Sequence, residues 1–129
     1  MNYLAHLHIA DHCQSSLLGN LLGDFVKGDP SAQFSPEIAR GIRLHRLVDA
    51  YTDSHPVMQQ AKACFSSQTR RFAPIALDMF WDHCLAKEWR LYHDLSLRAF
   101  VNGAQRQVQQ AYPTQLPERF TRVSEHMWQ

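Results

Sequence analysis

Apolar residues recur along this chain at intervals of three and four, and no run alternates β-branched with polar residues. That spacing is the mark of helices with one buried face. A first short apolar segment covers about Asn2 to Ala10. A second, from about Ser15 to Val26, sets Leu17, Leu18, Leu21, Leu22 and Phe25 at helical spacing. Lys27-Gly28-Asp29-Pro30 ends it, with Gly28 expected at the C′ position. A polar loop then leads to Ser35-Pro36-Glu37, an N-cap followed by a proline and an acid in the first turn. These residues open a third helix that reaches about Asp53. A fourth starts at Ser54 or His55, with Pro56 in its first position, and ends near Ser67. A fifth is expected from about Ala73 to Tyr92 and a sixth from about Leu95 to Tyr112. Pro113 to Pro117 breaks the pattern before a last short helix. With no repeat and no linker, the pattern predicts one all-α domain over 1–129, a single helical bundle.

The polar residues inside the apolar stripes carry the chemistry. In the third helix Ile38, Ile42, His45 and Asp49 step by three or four along one face, beside Gly41. Leu44, Leu47, Val48 and Tyr51 form a second apolar stripe, and Arg40, Arg43 and Arg46 fall on the solvated side. In the fifth helix Asp78, Trp81, Asp82, Leu85 and Trp89 share a stripe, with His83 next to Asp82. Two carboxylates facing an apolar interior repel each other and cost several kcal/mol to bury uncompensated. A metal, an arginine or a water-filled cleft is therefore expected beside them. His6 and His8 interrupt the first segment, Asp24 the second, and Asp53 and His55 close the third helix. Each feature has a simpler reading. His45 and Asp49 also fit a hydrogen-bonded core pair, and Asp78 and Asp82 also fit pairing with Arg70 or Arg71. Their convergence from several helices favours a site. Asp and His without paired cysteines suit Mg²⁺ or Mn²⁺ better than a structural zinc.

Composition narrows the classes. With 45% hydrophobic and 19% charged residues, the chain of 129 residues is neither disordered nor a charged low-complexity segment. A net charge of +1 gives no ground for nucleic acid or an anionic membrane as partner. No apolar run approaches the ~20 residues of a membrane helix. MNYLAHLHIADH lacks a basic leading region and carries two histidines in its apolar run, so it is not read as a signal peptide. Cys13, Cys64 and Cys84 are an odd set without a CxxC pair, which suits free thiols in a reducing compartment. A cytoplasmic protein is expected.

The chain resembles the bacterial acyl carrier protein phosphodiesterases, within the HD-like metal-dependent phosphohydrolases. The matching stretches are MNYLAHLHIA at 1–10, SSLLGNLLGDFVKG at 15–28, GIRLHRLVDAYTD at 41–53 and RRFAPIALDMFWDHCLAKEW at 70–89. They span most of the chain, in the family's order and spacing. The resemblance stops short of the family's C-terminal third, so the chain is expected to be a truncated or short variant. Asp82-His83 also stands as DH, not HD, so the ligand pattern of typical HD enzymes does not transfer directly.

The resemblance implies an HD-domain-like bundle that hydrolyses the phosphodiester joining 4′-phosphopantetheine to a serine of holo-acyl carrier protein. It also implies Mn²⁺ as the cofactor, with Mg²⁺ a weaker substitute. Such hydrolysis asks for an activated water, charge neutralisation by a cation and a proton for the leaving serine oxygen. Asp24, His45, Asp49 and Asp78 are the expected metal ligands. His6, His83 and Asp82 are the expected catalytic groups, with His6 or His83 as proton donor. The carrier is acidic, so Arg40, Arg43 and Arg46, with Arg70 and Arg71 beyond, are the expected docking residues. Two other readings stay open: a phosphohydrolase of a nucleotide or small phosphoester, and a non-catalytic module that binds the carrier.

Overall fold

The computed structural model describes residues 1–128. Among them the regular structure is helical, with no strand. Helices α1 (Tyr3–His12), α2 (Leu17–Leu22), α3 (Pro36–Asp53), α4 (Pro56–Ala63), α5 (Ala73–Lys87), α6 (Leu97–Gln110) and α7 (Glu118–Ser124) follow one another, with short 3₁₀ turns between α2 and α3, α4 and α5, and α5 and α6. The expected all-α class holds. No helix among the described residues is long and apolar enough to cross a membrane.

Local capping explains several starts. Ser16 accepts a hydrogen bond from Gly19 N–H at 2.9 Å, and Ser96 accepts one from Ala99 N–H at 3.1 Å. Ser35 does the same for Ile38, with Pro36 in the first position, as the sequence suggests. In α4 the cap is His55, whose Nδ1 accepts from Val57 N–H at 3.1 Å.

Three helices end earlier than the apolar spacing suggests, the fourth helix among them, at Ala63 rather than near Ser67. The second helix stops at Leu22, not near Val26, where Phe25 N–H donates to the Leu22 carbonyl at 2.8 Å. The tighter turn lets Phe25 meet Phe120 edge-to-face at 5.3 Å. Gly28 does take a left-handed φ of +75°, but inside the loop that follows, so it is not the C′ residue of α2. The fifth helix stops at Lys87, and a 3₁₀ turn over Trp89–Leu91 follows. That break turns Trp89 inward against Phe100, where its indole N–H donates to the Leu95 carbonyl at 2.9 Å. His93, to which the sequence assigns nothing, ties this corner to α1. Its Nε2–H donates to Asp11 at 2.9 Å while its Nδ1 accepts from Leu95 N–H.

Helix α2 is buried along its whole length and forms the middle of the core with α1, α3 and α6. It lies close on α3 because two glycines face each other. A methyl carbon on Gly19 would stand 2.5 Å from the Ile38 carbonyl oxygen, and one on Gly41 only 3.0 Å from Gly19 Cα. This close approach carries the face of α3 that holds His45 into the core. The other stripe of α3 is not buried. Leu47 and Tyr51 are 66% and 68% exposed, because α2 covers only the His45 side of the helix. In α5, Ala73 and Leu77 pack with Met58 of α4 as a small second cluster, while Asp78, Trp81, Asp82 and Leu85 are half-buried.

Candidate metal centre

Four elements converge at one end of the bundle. Helix α1 brings His6, the turn after α2 brings Asp24, α3 brings His45 and Asp49, and α5 brings Asp78. His6 and His45 are 2% and 3% exposed, and their rings stack at 3.7 Å, nearly parallel. Asp49 lies across their edges. His6 Nε2–H donates to Asp49 Oδ1 at 3.0 Å, and His45 Nε2 lies 3.1 Å from both Asp49 Oδ2 and Asp24 Oδ1.

The tautomer of His45 follows from its second nitrogen. A carbonyl oxygen can only accept, so Nδ1–H donates to the Asn20 carbonyl at 2.6 Å. Nε2 is then the atom offered to the carboxylates. With a proton on both nitrogens the ring is an imidazolium between two acids. Burial alone would lower its pKa, but the hydrogen bonds to Asp24 and Asp49 and the Asp24 charge overcome this and raise it to about 9. Without that proton, Nε2 presents a lone pair where a cation would sit, fixed by the backbone of α2.

The carboxylates divide by environment. Burial pushes Asp49 up, but hydrogen bonds from His45, His6 and the chain's terminal ammonium outweigh it and hold Asp49 far below the usual range. Asp24, more exposed, is lowered chiefly by its hydrogen bond from His45. Asp78 is raised by burial, which the ammonium of Met1 only partly offsets. That ammonium lies 2.7 Å from Asp49 and 3.4 Å from Asp78. The pocket thus already attracts a positive charge.

The donor set fits a divalent cation. Ligand atoms of His6, His45 and Asp49 lie within 4.8 Å of one another, and Asp24 shares His45 Nε2 with Asp49. His6 Nδ1 is buried without a hydrogen-bond partner among the described residues, an open polar atom beside the cluster. Two imidazoles with hard carboxylates suit Mn²⁺ or Mg²⁺ better than a site of thiolates would, and the nearest alternative ligands, the three cysteines, are free thiols elsewhere.

Three of the four expected metal ligands, Asp24, His45 and Asp49, thus meet directly. Asp78 stands at the edge, linked through the ammonium. His6, expected as a proton donor, sits among the ligand atoms. Asp82 has a different occupation. Its two oxygens accept Leu4 N–H at 2.9 Å and Ala5 N–H at 3.0 Å, capping α1 and meeting the positive end of its dipole. The compensation expected for Asp78 and Asp82 is therefore a helix N-terminus and a terminal ammonium, not Arg70 or Arg71. Arg70 donates to the Phe65 carbonyl instead. His83 is exposed on α5 and makes no hydrogen bond to the cluster among the described residues. Of the three arginines, Arg40 is exposed and Arg43 pairs with Asp29 at 3.0 Å. Arg46 departs from the solvated side. It folds back and donates to the Gly28 and Val26 carbonyls at 2.8 and 2.9 Å, pinning the loop that begins at Asp24.

Two contributors have no local sequence signal. Asn20 acts through its backbone, and Gly23 acts by lacking a side chain. A methyl carbon at Gly23 would stand 2.1 Å from His45 Cγ.

Cation affinity is expected to rise with pH. A bound cation must displace the His45 Nε2 proton, so below about pH 9 each bound ion releases close to one proton. The sign for folding is opposite. The folded pKa lies above the ordinary 6.5, so the ion-free protein has this stabilisation in full below pH 6.5 and loses it as pH rises through about 9. Mn²⁺ titrations at pH 6, 7 and 8 test this. An affinity flat with pH would remove His45 Nε2 from the ligand set.

The chain is similar to proteins of one family. The model of the acyl carrier protein phosphodiesterase family matches residues 1–129. An acyl carrier protein phosphodiesterase of Pectobacterium atrosepticum is 50% identical over 129 residues, covering 99% of this chain and 66% of that protein. Those of Photorhabdus laumondii and Escherichia coli O139:H28 are 48% and 46% identical, again over 99% of this chain and 65% and 66% of their own length. No solved structure matches. The chain therefore spans just under two thirds of the length of these relatives. With the family's model matched over residues 1–129 and a relative 50% identical along 99% of the chain, the chain belongs to the acyl carrier protein phosphodiesterase family.

Proposed function

We propose that the protein is a metal-dependent phosphodiesterase that hydrolyses the bond between 4′-phosphopantetheine and the serine of holo-acyl carrier protein, releasing apo-acyl carrier protein. The convergence of His6, His45, Asp49 and Asp24 in a chain of this family carries the reading. His6 Nε2, His45 Nε2, Asp49 and Asp24 would hold Mn²⁺, with Mg²⁺ a weaker substitute. The ion supplies Lewis-acid charge neutralisation at phosphorus. The remaining work belongs to the chain. Asn20 and Gly23 fix the His45 ring, and Asp49 stays ionised as a ligand. Asp78, raised by burial, is better suited than Asp49 to hold and pass a proton at the edge of the site. Three free thiols suit a reducing cytoplasm.

Arg40 and Arg43 form the docking flank for the acidic carrier in this reading, on the outer side of the helix that holds His45. Arg46 supports the loop behind the site, so its reversal would disturb the turn rather than docking alone. Charge reversal at Arg40 and Arg43 together is expected to raise KM for the carrier, mainly through slower association, and added salt should weaken the wild-type reaction, since exposed charges are screened over about 8–10 Å.

The direct test is incubation with Mn²⁺ and holo-acyl carrier protein, followed by mass analysis of the carrier. Loss of the phosphopantetheine mass is the expected result. An unchanged carrier bound tightly by the protein would instead identify a non-catalytic carrier-binding module.

A further inference from the structure

A cavity begins where the metal centre ends. Its volume is about 790 Å³, within the range of about 300–1,000 Å³ of small-ligand sites. Asp24 forms part of its wall and at the same time lies 3.1 Å from His45 Nε2. The turn after α2, the Ala32–Phe34 stretch and the segment leading into α7 form its sides.

The lining is chemically divided. Lys27 and Arg119 supply positive charge, Gln33 and Gln115 supply carboxamides, and Phe34 and Leu116 supply apolar surface. Arg119 has no carboxylate partner among the described residues. Its guanidinium rests over the Phe25 ring at 5.3 Å, and Phe25 directly follows Asp24 in the chain. Tyr3 senses both ends of this contact. Burial raises the pKa of its phenol, the Asp24 charge raises it further and the Arg119 charge opposes. A solvated cation held on an aromatic ring beside Asp24, with no ion pair among the described residues, can meet an anion. A bare groove for an apolar chain would not need two cations, and an inorganic anion would not need 790 Å³ with carboxamides along it.

We propose that this cavity holds the phosphate-bearing prosthetic arm, with Arg119 on the phosphoryl oxygens and Gln33, Gln115, Phe34 and Leu116 along the flexible amide-containing chain. The assignment rests on the phosphodiesterase reading and adds to it a positioning residue, Arg119, and a binding site for the leaving arm. The arm's amides find donors and acceptors in the two glutamines, and its methylene and methyl groups find Phe34 and Leu116. The phosphate would otherwise approach Asp24 against its charge, and Arg119 and Lys27 offset that repulsion.

Calorimetric titration of the full chain with 4′-phosphopantetheine, with pantetheine and with inorganic phosphate tests the assignment. Arg119 and Ala32 are exposed, so R119A and A32W should both fold. The expected result is binding of 4′-phosphopantetheine that R119A weakens by about 10-fold or more, as for a lost charged hydrogen bond, and that R119K partly restores. A32W, which narrows the cavity, should weaken 4′-phosphopantetheine more than it weakens phosphate. With the carrier as substrate, R119A should act on KM more than on kcat. If the wild type cleaves the carrier while neither variant changes KM or product affinity, the cavity assignment falls and the activity stands. If the wild type leaves the carrier intact yet binds 4′-phosphopantetheine through Arg119, the site stands as a phosphoester site and the activity falls. Equal affinity for pantetheine and 4′-phosphopantetheine, or no binding of either, overturns the role of Arg119.

Discussion

Replacing Asp49 by Asn is expected to abolish divalent-cation binding and turnover while leaving the chain folded. Asp49 receives the Met1 ammonium at 2.7 Å, His6 at 3.0 Å and His45 at 3.1 Å. Asparagine keeps the volume and one acceptor oxygen but loses the charge and the second acceptor. His45 Nε2–H, which faced the lost acceptor, keeps Asp24 at 3.1 Å, so the cost is that of one charge-assisted hydrogen bond, about 1.5–3 kcal/mol. That is a fraction of the 5–15 kcal/mol typical of a domain, so folding persists. The cation loses more. Removing a group that merely supports a ligand lowers metal affinity by about 10–100-fold, and loss of a ligand carboxylate should exceed that range. Asp49→Ala also strands His6 Nε2–H, while the ammonium keeps Asp78 and His45 keeps Asp24, so it should destabilise the ion-free protein more than Asp49→Asn does. Mn²⁺ calorimetry beside denaturant unfolding separates the two effects. Wild-type Mn²⁺ affinity in the Asn variant would make Asp49 and the histidines a core cluster without a ligand role.

The second large effect is expected at a residue with no functional group. A methyl carbon at Gly23 would lie 2.1 Å from His45 Cγ and 2.2 Å from Cδ2, far inside contact distance. The ring cannot yield freely, because movement breaks its 2.6 Å bond to Asn20 or its 3.7 Å stack on His6. Gly23→Ala should therefore cost about 1–3 kcal/mol as overpacking and should also remove cation binding, since Nε2 moves with the ring. Gly28→Ala is the matched control. Gly28 has a φ of +75° with no atom within 4 Å of an added carbon, so alanine there is strained by about 1–2 kcal/mol without touching the site. The two variants should lose similar stability, and only Gly23→Ala should lose Mn²⁺. Equal Mn²⁺ affinity in both would show that the site tolerates displacement of the His45 ring.

The sequence by itself determined what depends on neighbours along the chain. Ser35-Pro36-Glu37 starts α3 because an N-cap and a proline act within one turn. His45 and Asp49 share a face because a helix returns every 3.6 residues, and Asp24 stands out as an acid within an apolar run. Helical class, the acidic and histidine-rich inventory and the family follow from such local pattern. Tertiary structure alone decided which faces meet. Periodicity gives Leu47 and Tyr51 the same right to burial as Ile38 and Ile42, yet α2 covers the stripe of Ile38 and Ile42 and leaves Leu47 and Tyr51 in water. It stacked His6 of α1 on His45 of α3, turned Asp82 into the cap of α1 and folded Arg46 onto the loop after α2. It also made Gly23 and the Asn20 carbonyl part of the site, one by an absent side chain and the other by its backbone. Helical periodicity fixes the angle of a residue around its own axis. The contact that gives the residue its role depends on how closely and at what height two axes pass, and here the facing pair Gly19 and Gly41 sets that approach.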